Sequence, residues 1–326
     1  VRPVITVIGE ALVDLVPDRA TGERRATPGG SPFNVAVGLA RLGNRTSLMA
    51  RFADDDYGRL LRGVAAAEGI DLSSAPRAAE RSSVAIAAVG DSGGVTYEFD
   101  MDGTADWQWT AAELHKLSPA TEVVHFGSLA SWTPPGAARI AELAGQLRAG
   151  CRLLISYDPN VRPAVMGTRE RGARLVEQGV RRAHVVKASR DDVEWLYPGF
   201  AVQDVAARWS RLGAKLVVVT DGADGATAYR EIGDPVRRPG RRVTVVDTIG
   251  AGDAFTSGLL TGLVRRRLHR GGRLEGITDG TLADIIDEAI LVASITCERE
   301  GADPPRLERL DRLLGLPRAG ATPRAP

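Results

Sequence analysis

Cysteine is nearly absent: Cys151 and Cys297 are the two in 326 residues, far apart in apolar segments. No spacing between them suggests a disulfide or zinc framework, which points to a reducing cytosol rather than secretion. Residues 1–9 read as an apolar strand without a basic leader or cleavage pattern. No apolar run approaches the ~18 residues of a membrane span. The expectation is a soluble cytoplasmic protein with no membrane partner. Lysine is scarce as well, at positions 116, 187 and 215 only, so arginine carries nearly all the positive charge. The net charge of +1 leaves no field to draw nucleic acid or anionic lipid. Aromatic residues make up 5% of the chain, leaving few flat platforms for a stacked ligand. Two glycine-rich patterns are missing: no Gly-Lys-Ser/Thr P-loop, and no three-glycine dinucleotide turn closed by an acidic residue.

What is present is a large apolar fraction, 44% of residues, in two alternating periods. Residues 4–8, 123–126, 152–157, 185–187 and 215–220 read as short buried strands. Residues 35–42, 136–148, 169–181 and 282–298 carry helical spacing. Strands alternating with helices predict an α/β chain. The apolar runs 84–89 and 95–99 flank Asp91-Ser92-Gly93-Gly94 and read instead as a hairpin, a flap outside that core. Residues 18–27 are polar and read as a turn or loop. Trp107 and Trp109 read as packing residues. Asp54-Asp55-Asp56 precedes a helix, so these acids read as dipole partners rather than a metal site. The Pro-, Ala- and Arg-rich tail 317–326 is expected to be disordered.

One stretch organises the rest: Asp247-Thr248-Ile249-Gly250-Ala251-Gly252-Asp253. It follows the apolar run 243–246, which reads as a buried strand. It precedes Ala254, Phe255, Gly258, Leu259, Gly262 and Leu263 at helical spacing. Gly250 and Gly252 thus sit on a strand-to-helix turn, where a missing side chain allows unusual backbone angles and close approach. The free N–H groups of a first helical turn, with the helix dipole, make an anion site. Asp253 lies in that turn, where the dipole favours its ionised form. A held phosphate beside a carboxylate base is what phosphoryl transfer to an alcohol requires. Other positions suit the same chemistry. Asp14 lies just beyond the end of the first strand, and ligands of open α/β sheets bind outside the strand C-termini. Gly29-Gly30 precede a helix, and Asn34 both donates and accepts, as a pair of sugar hydroxyls needs. Arg162 lies past the strand at 152–157, where a guanidinium suits a phosphate.

Gly29-Gly30 with Asn34, Ala36 and Leu42-Gly43, and Asp247-Thr248 with Gly250-Ala251-Gly252-Asp253, resemble the two signatures of the PfkB (ribokinase-like) family of carbohydrate kinases. Thr220-Asp221-Gly222 with Gly225 resembles its nucleotide-binding turn. Within the family, Gly9-Glu10-Ala11-Leu12-Val13-Asp14 and Asp158-Pro159-Asn160-Val161-Arg162-Pro163 are most similar to fructokinases. The resemblance implies a three-layer α/β/α domain over about residues 1–316, with a β-sheet lid from about 12–27 and 83–103. It implies ATP, Mg²⁺ and often K⁺, and transfer to a primary hydroxyl, fructose O6 first. The alternatives are a 2-keto-3-deoxygluconate, ribose or nucleoside kinase and, in another class, an inactive sugar-binding regulator. Residue by residue, Asp253 matches the catalytic base, and Gly250, Ala251 and Gly252 the anion hole. Asp14, Gly29, Gly30, Asn34, Phe99 and Arg162 fall to the sugar. Lys187, Thr220, Gly222, Gly225 and Gly252 fall to the nucleotide, and Asp192, Asp247 and Thr248 to metal ions. Where the family often carries Asn-x-x-Glu, this chain has Ser189 and Asp192, a carboxylate at the same spacing. A lid sheet with open edges leads to the expectation of a homodimer paired through the lid.

Overall fold

The computed structural model describes residues 3–17, 23–89, 95–150 and 152–314. The strands in chain order are β1 (Val4–Ile8), β2 (Leu12–Pro17), β3 (Arg24–Gly29), β4 (Arg45–Met49), β5 (Phe52–Ala53), β6 (Arg77–Ala78), β7 (Val84–Val89), β8 (Val95–Asp100), β9 (Thr121–Gly127), β10 (Leu154–Asp158), β11 (Val185–Ser189), β12 (Leu216–Thr220), β13 (Ala226–Arg230) and β14 (Val236–Arg238). The α-helices are α1 (Ser31–Arg41), α2 (Asp56–Ala67), α3 (Ala111–Leu114), α4 (Ala137–Ala149), α5 (Pro163–Met166), α6 (Arg169–Val180), α7 (Arg190–Leu196), α8 (Val202–Arg211), α9 (Ala251–Arg265), α10 (Asp279–Cys297) and α11 (Leu307–Leu313).

Eight strands form the central sheet in the order β14-β13-β12-β11-β10-β9-β1-β4. From β4 to β12 every neighbour is parallel. The turn at 221–225, closed by Asp221 N–H donating to the Gly225 carbonyl, reverses the chain into antiparallel β13. Successive strand side chains point to opposite faces, and both faces are covered. Ile5, Val7, Leu216 and Val218 join Phe33, Leu259 and Ile286 of α1, α9 and α10 in one apolar cluster. Ile8, Val217 and Val219 join Ile140, Val176 and Trp209 of α4, α6 and α8 in the other. This is the three-layer α/β/α ribokinase-like fold, and it explains why the strands read as continuous apolar runs rather than alternating ones.

A separate sheet, β3-β2-β7-β8, stands apart from that core. Residues 24–27 of the polar stretch read as loop belong instead to β3, Arg24–Gly29. This strand pairs antiparallel with β2 from Leu12↔Gly29 to Pro17↔Arg24. An edge strand open to solvent on one side needs no apolar face, so its polar sequence carried no strand signal. The turn at 91–94, Cys151 and the tail 317–326 lie outside the described residues.

Two buried carboxylates sit where the chain leaves β1 for this small sheet. Glu10 accepts from the N–H groups of Leu129 (3.3 Å) and Ala130 (3.0 Å). Asp106 accepts from Ala11 N–H (2.8 Å) and Ser83 Oγ (2.6 Å). Burial pushes Glu10 up to about 7 and Asp106 up to about 6, against those hydrogen bonds. Trp107 and Trp109 are buried packing residues, as read. Asp55 caps α2 by accepting from Gly58 N–H at 2.7 Å. Among the described residues, no helix is long and apolar enough to cross a membrane.

Candidate active site

α9 begins where Gly250 adopts a left-handed backbone (φ 73°), a conformation that disfavours any side chain. A Cβ there would also meet Ala302 at 2.5 Å. Ala251 N–H turns back to the Thr248 carbonyl, and Ala254 N–H makes the first intrahelical bond, to the Gly250 carbonyl. The N–H groups of Gly252 and Asp253 meet no acceptor among the described residues. They are the orphan donors of a helix start, and they point out of the helix toward its N-terminal end.

The Asp253 carboxylate is held by the start of another helix. Ser31 Oγ donates to its Oδ1 at 2.6 Å and Asn34 Nδ2 to its Oδ2 at 2.9 Å. Gly30 (φ 97°) caps α1, so Asn34 lies in the first turn rather than at the cap. Asp253 keeps partial exposure on the cavity described next. The dipole argument alone places this carboxyl low. Burial reverses the direction and raises it above the usual carboxylate range, against the bonds from Ser31 and Asn34 and the nearby charge of Lys187. A carboxylate lifted this way is a stronger base.

Asp253 opens on a cavity of about 320 Å³ with mixed polar and apolar walls. Asp14, Gly30, Asn34, Phe99 and Arg162 all line it, brought from the small sheet, α1 and the loop after β10. Burial pushes Asp14 up to about 6; Arg162 opposes that shift and Asp253 adds to it. Gly29 does not line the cavity. Its missing side chain makes room for Asp14 instead, since a Cβ there would lie 2.2 Å from Asp14 Oδ2. Residues not picked out from the sequence also reach this wall: Ser31, Glu10, Leu129 and Asn160. Ser31 sits directly between Gly30 and Pro32, and a hydroxyl at the start of that helix was the available signal.

A second cavity of about 610 Å³ lies on the other side of the same helix start. Thr220, Gly222 and Gly225 line it together with Val243, Val245, Phe255 and Ile290. Residues 243–246 are not a buried strand as read. They run without strand pairing, and Val245 and Val246 are 59% and 62% exposed. Their apolar character belongs to the wall of this cavity, which periodicity cannot distinguish from a core. The two cavities share Thr248 and Gly252. Lys187 lines the first rather than the second; it is buried, with Nζ 2.9 Å from Asp158 Oδ2. Burial works against its charge, and Asp158 and Asp192 outweigh that, for a net upward shift.

The candidate metal residues are engaged by the chain itself. Asp192 accepts from Ser189 N–H (2.8 Å) and Val161 N–H (2.9 Å), as a helix cap tied to the loop after β10. Asp247 accepts from Ile249 N–H (3.0 Å) and Gly301 N–H (2.9 Å), beside Thr248. Among the described residues no group of three or more His, Cys, Asp or Glu is placed to hold a metal. That donor set suits a small hard cation carried mostly by phosphate oxygens and water, rather than an all-protein cage.

A carboxylate on the wall of one cavity, beside unpaired helix N–H groups that border a second, apolar one, suits phosphoryl transfer to an alcohol. The family model of the pfkB family carbohydrate kinases matches residues 3–309, and the chain belongs to that family. It is 34% identical to a fructokinase of Rhizobium leguminosarum bv. trifolii, over 96% of this chain and 90% of that one. Among solved structures it resembles a double-mutant fructokinase of Vibrio cholerae O395 in its fructose, ADP and potassium ion bound form. That match has a TM-score of 0.83 at 25% identity and covers 96% and 98% of the two chains. It also resembles the aminoimidazole riboside kinase of Salmonella enterica complexed with aminoimidazole riboside and an ATP analog, with a TM-score of 0.80 at 29% identity, covering 95% and 99%. The protein is a carbohydrate kinase.

Proposed function

We propose that this kinase transfers the γ-phosphoryl group of ATP to O6 of fructose. The observation that carries the reading is Asp253, raised in basicity and clamped by Ser31 and Asn34 on the wall of a polar cavity. The sugar occupies the cavity bearing Asp14, Asn34 and Arg162, and the nucleotide's base and ribose occupy the apolar one. Asp14 accepts from sugar hydroxyls, and Arg162 donates to an oxygen of the sugar. Asp253 takes the proton of the attacking hydroxyl. The N–H groups of Gly252 and Asp253, with the Lys187 ammonium, face charge that grows on the transferring group. The small sheet excludes water that would otherwise accept the phosphoryl group.

Mg²⁺, when bound, neutralises the nucleotide's phosphates; Asp192, its oxygens already committed to two N–H groups, would hold that ion through water. Asp247 and Thr248 are the residues for a stimulatory K⁺. The fructokinase relatives favour fructose. The riboside kinase neighbour supports a second reading, a nucleoside-type sugar in the same cavity. The free edges of the small sheet favour a homodimer joined lid to lid in the cytoplasm. A coupled ADP-release assay over fructose, 2-keto-3-deoxygluconate, ribose and aminoimidazole riboside, with and without K⁺, tests the assignment. Fructose as the sugar of highest kcat/KM is the expected result. No phosphorylation of any sugar would favour a binding protein instead.

A further inference from the structure

Asp158 ends β10 beneath the seam between the two cavities and joins three elements there. Its Oδ2 lies 2.9 Å from Lys187 Nζ on β11 and 3.3 Å from Thr256 Oγ1, one turn into α9. Its Oδ1 accepts from Asn160 N–H at 3.1 Å. That bond holds Asn160 in a left-handed backbone (φ 41°) on the wall of the polar cavity. Asp158 and Lys187 are both buried, with side chains 1% and 6% exposed. Asp158 does not line the polar cavity, whereas Lys187 does. The ammonium sits against the first turn of α9: a Cβ on Gly252 would lie 3.0 Å from Nζ. A lysine whose ammonium is paired with a buried carboxylate and faces a glycine of the next helix is a fixed cation rather than a mobile one.

From this geometry we infer that Asp158 is a positioning residue for phosphoryl transfer, acting through Lys187. It fixes the ammonium beside the Gly252 and Asp253 N–H groups, where the transferring group passes between the cavities. Preorganised charge stabilises the transition state without reorganising at the moment of transfer. Lysine lacking its carboxylate partner would retain its charge but lose its address. The inference rests on the kinase reading for the identity of the anion, but not for the pairing itself.

The test is a double-mutant cycle of Asp158→Asn and Lys187→Met, read as kcat, KM for fructose and KM for ATP. Asp158→Asn keeps the side-chain shape but has no charge for Lys187 and one acceptor oxygen where Asp158 uses two, for Lys187 and for Asn160 N–H. It is expected to lower kcat about 10²-fold, a magnitude typical of losing one preorganised donor, while KM for fructose stays within about twofold. In the Lys187→Met background the same substitution should cost little more, because its route is gone. Independent, multiplying losses would overturn the inference, as would an Asp158→Asn protein with unchanged kcat. Removal of one partner of a buried pair can unfold a protein. Thermal melts of all four proteins therefore accompany the kinetics, and the doubly neutral protein, which leaves no unpaired charge, keeps the cycle readable. Where wild type phosphorylates no sugar, the kinase reading fails. The same cycle read as ATP affinity then still decides whether Asp158 acts through Lys187: coupling supports the pair, and additivity sinks it.

Discussion

Asn34 Nδ2 donates to Asp253 Oδ2 at 2.9 Å across 219 positions of the chain. Two helix starts meet there, α1 bringing the donors and α9 the carboxylate. Asp253→Asn should remove the base while leaving an isosteric side chain between Ser31 and Asn34. The expected loss in kcat is about 10²–10⁴-fold with little change in thermal stability. Full kcat in a folded Asp253→Asn protein would refute the assignment.

Asn34→Ala should act on the same step less severely. It leaves the carboxylate charged but held by Ser31 alone, and misplacement by an ångström can cost about 10²-fold. The loss should fall on kcat. The acid limb of kcat/KM should also move, upward, because this hydrogen bond lowers the Asp253 pKa. A pH–rate profile of the two proteins measures both effects.

Gly29 is predicted to matter through Asp14 alone. A methyl group at Gly29 would sit 2.2 Å from Asp14 Oδ2 and must displace that carboxylate from the cavity it lines with Asp253. Gly29→Ala should raise KM for the sugar by about tenfold or more while KM for ATP stays constant. A matched rise in both would mean that the lid as a whole had shifted.

Ala293 lines the apolar cavity and not the first one. Ala293→Trp should fill the space assigned to the nucleotide and raise KM for ATP about tenfold or more, with sugar affinity by calorimetry unchanged. Loss of sugar binding without loss of ATP binding would reverse the assignment of the two cavities.

Stability should fall as pH rises through the range set by Asp106, Asp14 and Glu10, whose carboxyls stand at about 6, 6 and 7 in the fold. Each is raised above its unfolded value, so the folded chain binds more protons than the unfolded one between about pH 4 and 7. The stabilisation is complete below the unfolded pKa and is lost on passing the folded one. Asp106→Asn can still accept from Ala11 N–H and can donate to Ser83 Oγ. It should flatten this dependence and raise stability at pH 8 relative to wild type. Urea melts at pH 5 and pH 8 check the sign.

Much of the fold was legible because a parallel sheet covered on both faces produces short apolar runs at regular spacing, as in β1, β10 and β12. The helix start at Gly250 was legible for a similar reason: a left-handed residue, a short turn and an acid in the next turn are local requirements. Strand β3 was not, because an edge strand has no apolar face to announce it. Nor was the exposure of 243–246, since the wall of an apolar ligand cavity and a buried strand select the same residues.

The sequence by itself determined the core strands and helices, the glycine turn at 250–252 and the carboxylate that follows it, all properties of neighbours along the chain. Tertiary structure alone decided that Ser31 and Asn34 clamp Asp253, that Gly29 serves Asp14, and that Asp158 holds Lys187. It also decided the direction of the Asp253 shift: a helix dipole can be read from a few residues, but desolvation depends on what distant segments pack around the group.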